Sequence, residues 1–197
     1  MIGTTTTKVI SRMSFVKVGK RNLGLEWRNP PVHELEFLKI SKNHGELSNK
    51  LSQLGVPSPD ILEYAKHVCM CWYKLSEDHL QDAKAALAAK AERAVFSRSY
   101  YAVYNASKSV RYVVEGFVSL NGDDHKRAGS LPDDFPDVVD WSASISSLYQ
   151  HRLRADYENW ADTAHKQTLP TEDAVTKAEK FMEVAKAYMQ EKYGVVL

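Results

Sequence analysis

The chain has 197 residues, 44% of them apolar and 26% charged, with 26 Lys and Arg against 25 Asp and Glu. A formal net charge of +1 excludes a histone-like polycation and equally an acidic solvating chain. No apolar run approaches the roughly 18 residues needed to span a bilayer, and the first residues lack the apolar stretch of a signal peptide. The expectation is therefore a cytoplasmic protein with no membrane partner. Cys69 and Cys71 fall about 200° apart on a helix and cannot bridge each other. Two cysteines without nearby partners make no zinc site, so no metal or cofactor is expected.

Residues 1–31 form a basic arm of net charge +5. Within it, 15–18 suits a short strand, 23–27 a second one, and Gly19-Lys20-Arg21-Asn22 the turn between them. Asn29-Pro30-Pro31 breaks the chain. Residues 32–75 balance five basic against five acidic side chains and read as a helical extension. In it, Leu35, Leu38, Leu47, Leu51 and Leu54 recur at helical spacing over 32–54, with Gly45 inside the pattern. Ser58 is the expected cap of the next helix, with Pro59 at its first position. Ile61, Tyr64, Ala65, Val68, Trp72 and Leu75 supply its apolar stripe, and the pattern either runs on to about Ala89 or restarts near Ser76.

Residues 76–197 carry fifteen basic and nineteen acidic side chains, net −4, and hold the main bundle. The spacing predicts helices over 92–116, 137–154 and 171–193, with a loop rich in Asp, Gly and Pro over 119–136. Phe96, Tyr100, Val103, Ala106, Val110, Val113 and Val114 mark the inner face of the first of these. Val175, Ala178, Phe181, Met182, Ala185 and Tyr188 mark that of the last. The expected fold is an all-α antiparallel helical bundle with an N-terminal helical extension.

Two groups of residues suit chemistry. Arg98, Tyr101, Asn105, Lys108 and Tyr112 recur at steps of three and four, so they share one stripe of a helix. Cations, an amide and rings on one stripe suit phosphate binding and base stacking. The alternative is that Tyr101 and Tyr112 pack half-buried while Arg98 pairs with a carboxylate of another helix. The second group, His151-Arg152-Leu153-Arg154-Ala155-Asp156-Tyr157, closes the helix over 137–154. A histidine there can move a proton and an arginine can stabilise a charged phosphorane, as metal-independent RNA cleavage requires. The bland reading is a helix C-terminus that welcomes cations, plus an Arg–Asp pair. His125 lies in the loop beside Asp123 and Asp124, a set with no recognised metal-loop spacing, and His165 has no evident partner. Phosphate-loop, nucleophile-elbow, His-Glu-x-x-His and Cys-x-x-Cys motifs are absent.

Residues 73–193 resemble the HEPN superfamily (higher eukaryotes and prokaryotes nucleotide-binding), closest to its small bacterial and archaeal branch. The likeness rests on Ser76-Glu77-Asp78-His79-Leu80 with Ala83 and Ala86. It continues through Ala94-Val95-Phe96-Ser97-Arg98-Ser99-Tyr100-Tyr101-Ala102-Val103-Tyr104-Asn105-Ala106. It ends with the loop histidine His125, Arg154-Ala155-Asp156-Tyr157, and a closing Ala-rich helix. The resemblance implies a homodimer that binds nucleotide or RNA, within a toxin–antitoxin, defence or stress-response module. A nucleotidyltransferase partner is part of that implication. Nuclease members carry Arg-x(4–6)-His; here the next histidine after Arg152 or Arg154 is His165, beyond that spacing, as in the Ala-Asp-Tyr branch. The expected binding residues are Arg98, Tyr101, Asn105, Lys108, Arg152, Arg154 and Tyr157. The alternatives are an RNase toxin using Arg154, His151 or His125, and a non-catalytic protein-interaction module. Asp156 is the expected structural residue, within salt-bridge reach of Arg98 in an antiparallel bundle, with Arg154 facing a groove.

Overall fold

Helical spacing of apolar residues becomes an all-α bundle in the computed structural model, which describes residues 43–55, 59–119, 122–158 and 168–197. The basic arm, the expected hairpin, Ser58 and His165 lie outside the described residues. Among the described residues five α-helices follow in order: α1 (His44–Gln53), α2 (Pro59–Ala88), α3 (Glu92–Glu115), α4 (Val138–Tyr157) and α5 (Thr171–Tyr193). A short 3-10 helix, Gly122–Arg127, interrupts the α3–α4 connection. The described residues contain no strand, and a lone antiparallel bridge joins Asn43 to Phe117.

The helix expected over 32–54 is interrupted at Asn43, and its residues 32–42 lie outside the described residues. Asn43 is extended (φ −127°, ψ 75°), its side chain accepts from the Glu46 amide, and α1 starts only at His44. A side-chain cap of this kind satisfies a donor that a continuing helix would have bonded itself. Gly45 therefore stands in the first turn rather than mid-helix. Its amide reaches Gly116 O at 3.4 Å. Gly116 is left-handed (φ +68°), and a Cβ on it would meet Gly45 N at 2.7 Å. Glycine is needed there both to end α3 and to let α1 approach.

Of the two readings for α2, the unbroken one holds: its 30 residues run straight through Leu75 and Ser76. It ends in a Schellman turn, with Ala91 N bonding Ala86 O and Lys90 N bonding Leu87 O. That turn sends α3 back along α2. α3 is the central helix, packed against α2, α4 and α5. Its Phe96, Tyr100, Val103, Ala106 and Val110 are buried, as are Val175, Ala178, Phe181, Met182, Ala185 and Tyr188 of α5. Small residues, among them Ala83, Ala102, Ala106, Ala178 and Ala185, line the contacts and let helix axes come close. Buried hydroxyls tie elements together: Ser109 donates to Cys69 O at 2.7 Å and Ser107 to Ala128 O at 2.5 Å. Tyr73 donates to Met182 O at 3.0 Å, and burial pushes its phenol up to about 12. Neither cysteine is in a disulfide. Among the described residues no helix is long and apolar enough to cross a membrane.

Candidate functional site

A buried ion pair anchors the loop after α3. Arg111 grips Asp124 with two parallel hydrogen bonds, Nη1 to Oδ1 and Nη2 to Oδ2, each 3.0 Å. Both side chains are 1% exposed. Arg111 Nε also donates to Ser107 Oγ at 3.3 Å, and Lys108 Nζ lies 3.9 Å from Asp124 Oδ2. Burial alone would raise the Asp124 carboxyl; the Arg111 hydrogen bonds and charge, with Lys108 and the Tyr104 phenol, outweigh it and hold the pKa below its ordinary value. Lys108 itself sits over the ring faces of Trp72 and Tyr104, at 4.8 and 5.6 Å. Desolvation lowers its pKa.

The residue after Asp124 is His125, which the pair delivers into a group of tyrosines. Its ring stacks on Tyr104 at 4.4 Å and lies nearly parallel to Tyr149 at 6.3 Å, with Tyr101 edge-on at 6.0 Å. Its Nδ1 shares a 3.0 Å hydrogen bond with the Tyr100 hydroxyl. Burial first, then the Arg152 charge, lower the His125 pKa, so the ring is neutral at neutral pH. Burial, with the neighbouring phenols Tyr104 and Tyr149, raises the Tyr100 pKa, so that hydroxyl keeps its proton.

Arg152 of α4 closes the group. Its guanidinium lies 5.4 Å from the Tyr101 ring and 5.2 Å from the Tyr157 ring. Nη2 donates to the Tyr101 hydroxyl at 2.8 Å, and Nε is 2.7 Å from Asp156 Oδ2. His79 of α2 also meets Tyr101, ring to ring at 5.5 Å, and Arg98 donates to His79 Nδ1 at 3.3 Å. Tyr157 is 73% exposed, and Tyr101, Tyr104, His125 and Tyr149 are half-buried. The result is a continuous face of rings and guanidinium groups, drawn from α2, α3, α4 and the 3-10 helix. Cavities of about 430 and about 300 Å³ lie elsewhere and share no lining residue with it. Among the described residues no cluster of three or more His, Cys, Asp or Glu could hold a metal.

The expected residues divide. Arg98, Tyr101, Lys108, Arg152, Tyr157 and His125 come together on this face. Asn105 is buried and donates to Tyr101 O at 2.9 Å, its own preceding turn. Tyr112 is fully buried, meeting His44 and Trp72 edge-on. His151 is 5% exposed and stacks on Phe96, a core position. Arg154 follows Arg152 by two residues, about 200° around the helix, and none of the contacts of the face described here involves it. The expected Arg98–Asp156 pair does not form. Asp156 is bound by Arg152 one turn back, and Arg98 lies 3.8 Å from Asp82 of α2. The reason is local: α4 continues to Tyr157, so Ala155-Asp156-Tyr157 is helical and Asp156 stands at i+4 from Arg152.

Tyr100, Tyr104, Arg111, Asp124 and Tyr149 belong to the site and stood outside the expected set. A signal exists for α3: Tyr100, Tyr104, Lys108 and Arg111 recur at steps of four, four and three. That stripe lies beside the one chosen, and both fit a helix equally well. No family model matches the sequence, and a comparison with curated proteins finds no match either.

Proposed function

We propose that the chain is a HEPN-like domain that binds nucleotide or RNA across the Tyr101–His125–Arg152 face. Rings that stack bases and guanidinium groups that meet phosphate are the two components single-stranded nucleic acid requires. The observation that carries the reading is their convergence from four elements, with Tyr101 touching Arg152, His79 and His125, and Arg98 bonded to His79. The resemblance in sequence supports the same reading. It adds a homodimer, a cytoplasmic setting, a nucleotidyltransferase partner and a toxin–antitoxin, defence or stress-response module.

Isothermal titration of the full chain with a short single-stranded RNA tests it. Binding is expected, and Arg152→Ala should weaken it about tenfold, the scale of a lost charged contact. No binding at millimolar RNA would sink the proposal.

One arrangement favours a second reading, metal-independent RNA cleavage. His125 is neutral, is oriented through Nδ1 by Tyr100, and neighbours the Arg152 cation. When Nδ1 carries the proton and donates to the Tyr100 oxygen, Nε2 is left as a base for a ribose hydroxyl. This reading requires RNA loss in the presence of a chelator and its disappearance in His125→Ala. Intact RNA with the unmodified protein would leave only the binding reading.

A further inference from the structure

We infer that this face recognises a nucleobase bearing a single phosphate, and discriminates against polyphosphates and duplexes; the inference rests on the nucleotide-binding reading above. The ground is the pairing of its cations. Four of them, Arg98, Lys108, Arg111 and Arg152, are met by three carboxylates, Asp82, Asp124 and Asp156, for a net of +1. Asp78 adds a further negative influence beside His79. Three of the cations are hardly accessible, Arg111 at 1%, Arg152 at 11% and Lys108 at 14% exposed, and only Arg98, at 45%, is open. Arg152 is held between two rings, a hydroxyl and a carboxylate.

A groove built to follow a phosphate backbone carries many unpaired cations and shows a steep dependence on salt. This face has the opposite balance. Its accessible parts include the ring surfaces of Tyr101, Tyr104, His125, Tyr149 and the exposed Tyr157, beside the open Arg98 and Asp82. Affinity should therefore come from stacking, with one phosphate meeting the surplus charge. A triphosphate would bring about four negative charges to a surface with one to offer. A duplex hides its base faces and offers only backbone, which this surface is poorly equipped to hold.

The test is calorimetric titration of the full chain with adenosine monophosphate, adenosine triphosphate, a short single-stranded RNA and the corresponding duplex. Salt is varied between roughly 50 and 300 mM KCl, over which a single neutralised phosphate gives a log–log slope of about −0.7. The monophosphate and the single strand should bind within a few-fold of each other with slopes no steeper than about −1. The triphosphate should bind no tighter than the monophosphate, and the duplex should not bind. Tyr157→Leu, at an exposed position that leaves the fold intact, should cut affinity about tenfold through lost stacking. Asp156→Asn, which raises the net charge to +2, should steepen the slope by about 0.7 and selectively improve the triphosphate. Tighter triphosphate or duplex binding, or a slope steeper than about −2, overturns this inference and leaves nucleotide binding standing. Failure of all four ligands overturns both. If the single strand binds and the monophosphate does not, the recognised unit is a longer segment and the single-phosphate assignment falls.

Discussion

At the scale of single residues, the ring Tyr104 presents to His125 and the loop that carries His125 depend on one buried pair. Arg111 and Asp124 bond each other through two parallel hydrogen bonds with both side chains 1% exposed. Asp124→Asn would leave the Arg111 charge buried against a neutral amide, and breaking such a pair costs about 3–5 kcal/mol. Urea denaturation should show a loss of that order. The double change Arg111→Met with Asp124→Leu should recover much of it, because apolar residues of similar size often replace a buried pair without penalty. The recovered protein should still lack normal ligand binding, since nothing would then hold His125 against Tyr100. This pair was not legible in the sequence. Asp124 reads there as one of two loop carboxylates beside a histidine, and Arg111 as one more cation on a helix. Only the fold of the connection, thirteen residues later, brings them together.

At the scale of elements, the helices were largely legible because apolar periodicity is a sum over many residues. Their ends were less so, because each end is decided by one or two local bonds. α4 was expected to stop at Arg154 and continues to Tyr157, where the Arg152–Asp156 contact supports its last turn. α1 starts late because Asn43 caps it while its backbone pairs with Phe117. The turn between α2 and α3 uses Lys90 at φ +56°, a left-handed position that glycine usually holds in a Schellman motif. A Cβ there carries strain of about 1–2 kcal/mol, against about 0.5–1 kcal/mol of extra chain entropy that glycine loses on folding. Lys90→Gly should therefore stabilise the domain by up to about 1 kcal/mol. Thermal melting at fixed pH reads this as a rise of a few degrees. A fall in Tm would mean that the Lys90 side chain holds a contact worth more than the strain.

At the scale of the whole molecule, burial of α3 on nearly every side explains why the site was only half legible. A helix with two polar-aromatic stripes gives no sign of which one its neighbours leave open. Asn105 and Tyr112 of one stripe face inward, while Arg98, Tyr101 and Lys108 of the same stripe share the open face with Tyr104. The same burial couples the fold to pH at both ends of the scale. His44, His79 and His125 have pKa values below the ordinary 6.5, each chiefly through burial. His44 is the most enclosed: Nε2 bonds Tyr112 O at 2.8 Å, and Nδ1 has no hydrogen-bond partner among the described residues. An unfolded chain takes up these protons near pH 6.5 while the folded one resists them, so the unfolded state binds more protons in that window. Stability should thus be full above about pH 6.5 and fall as the pH drops toward the lowered folded values. Asp124 adds a second loss below its ordinary 3.8, as protonation breaks its pairing with Arg111. At the alkaline end the sign reverses. Tyr73, Tyr100 and Tyr104 are raised above the ordinary 10, so their contribution is present below pH 10 and is lost as the pH climbs through the folded values. Urea midpoints across the pH range should trace a plateau from near 7 to near 9, with a shoulder on the acid side that starts below about 6.5. His44→Gln keeps a donor for Tyr112 O and removes the titrating group, so it should flatten that shoulder in part while leaving the alkaline limb unchanged. A shoulder of undiminished height in His44→Gln would assign the acid loss to His79 and His125 alone and remove His44 from the account.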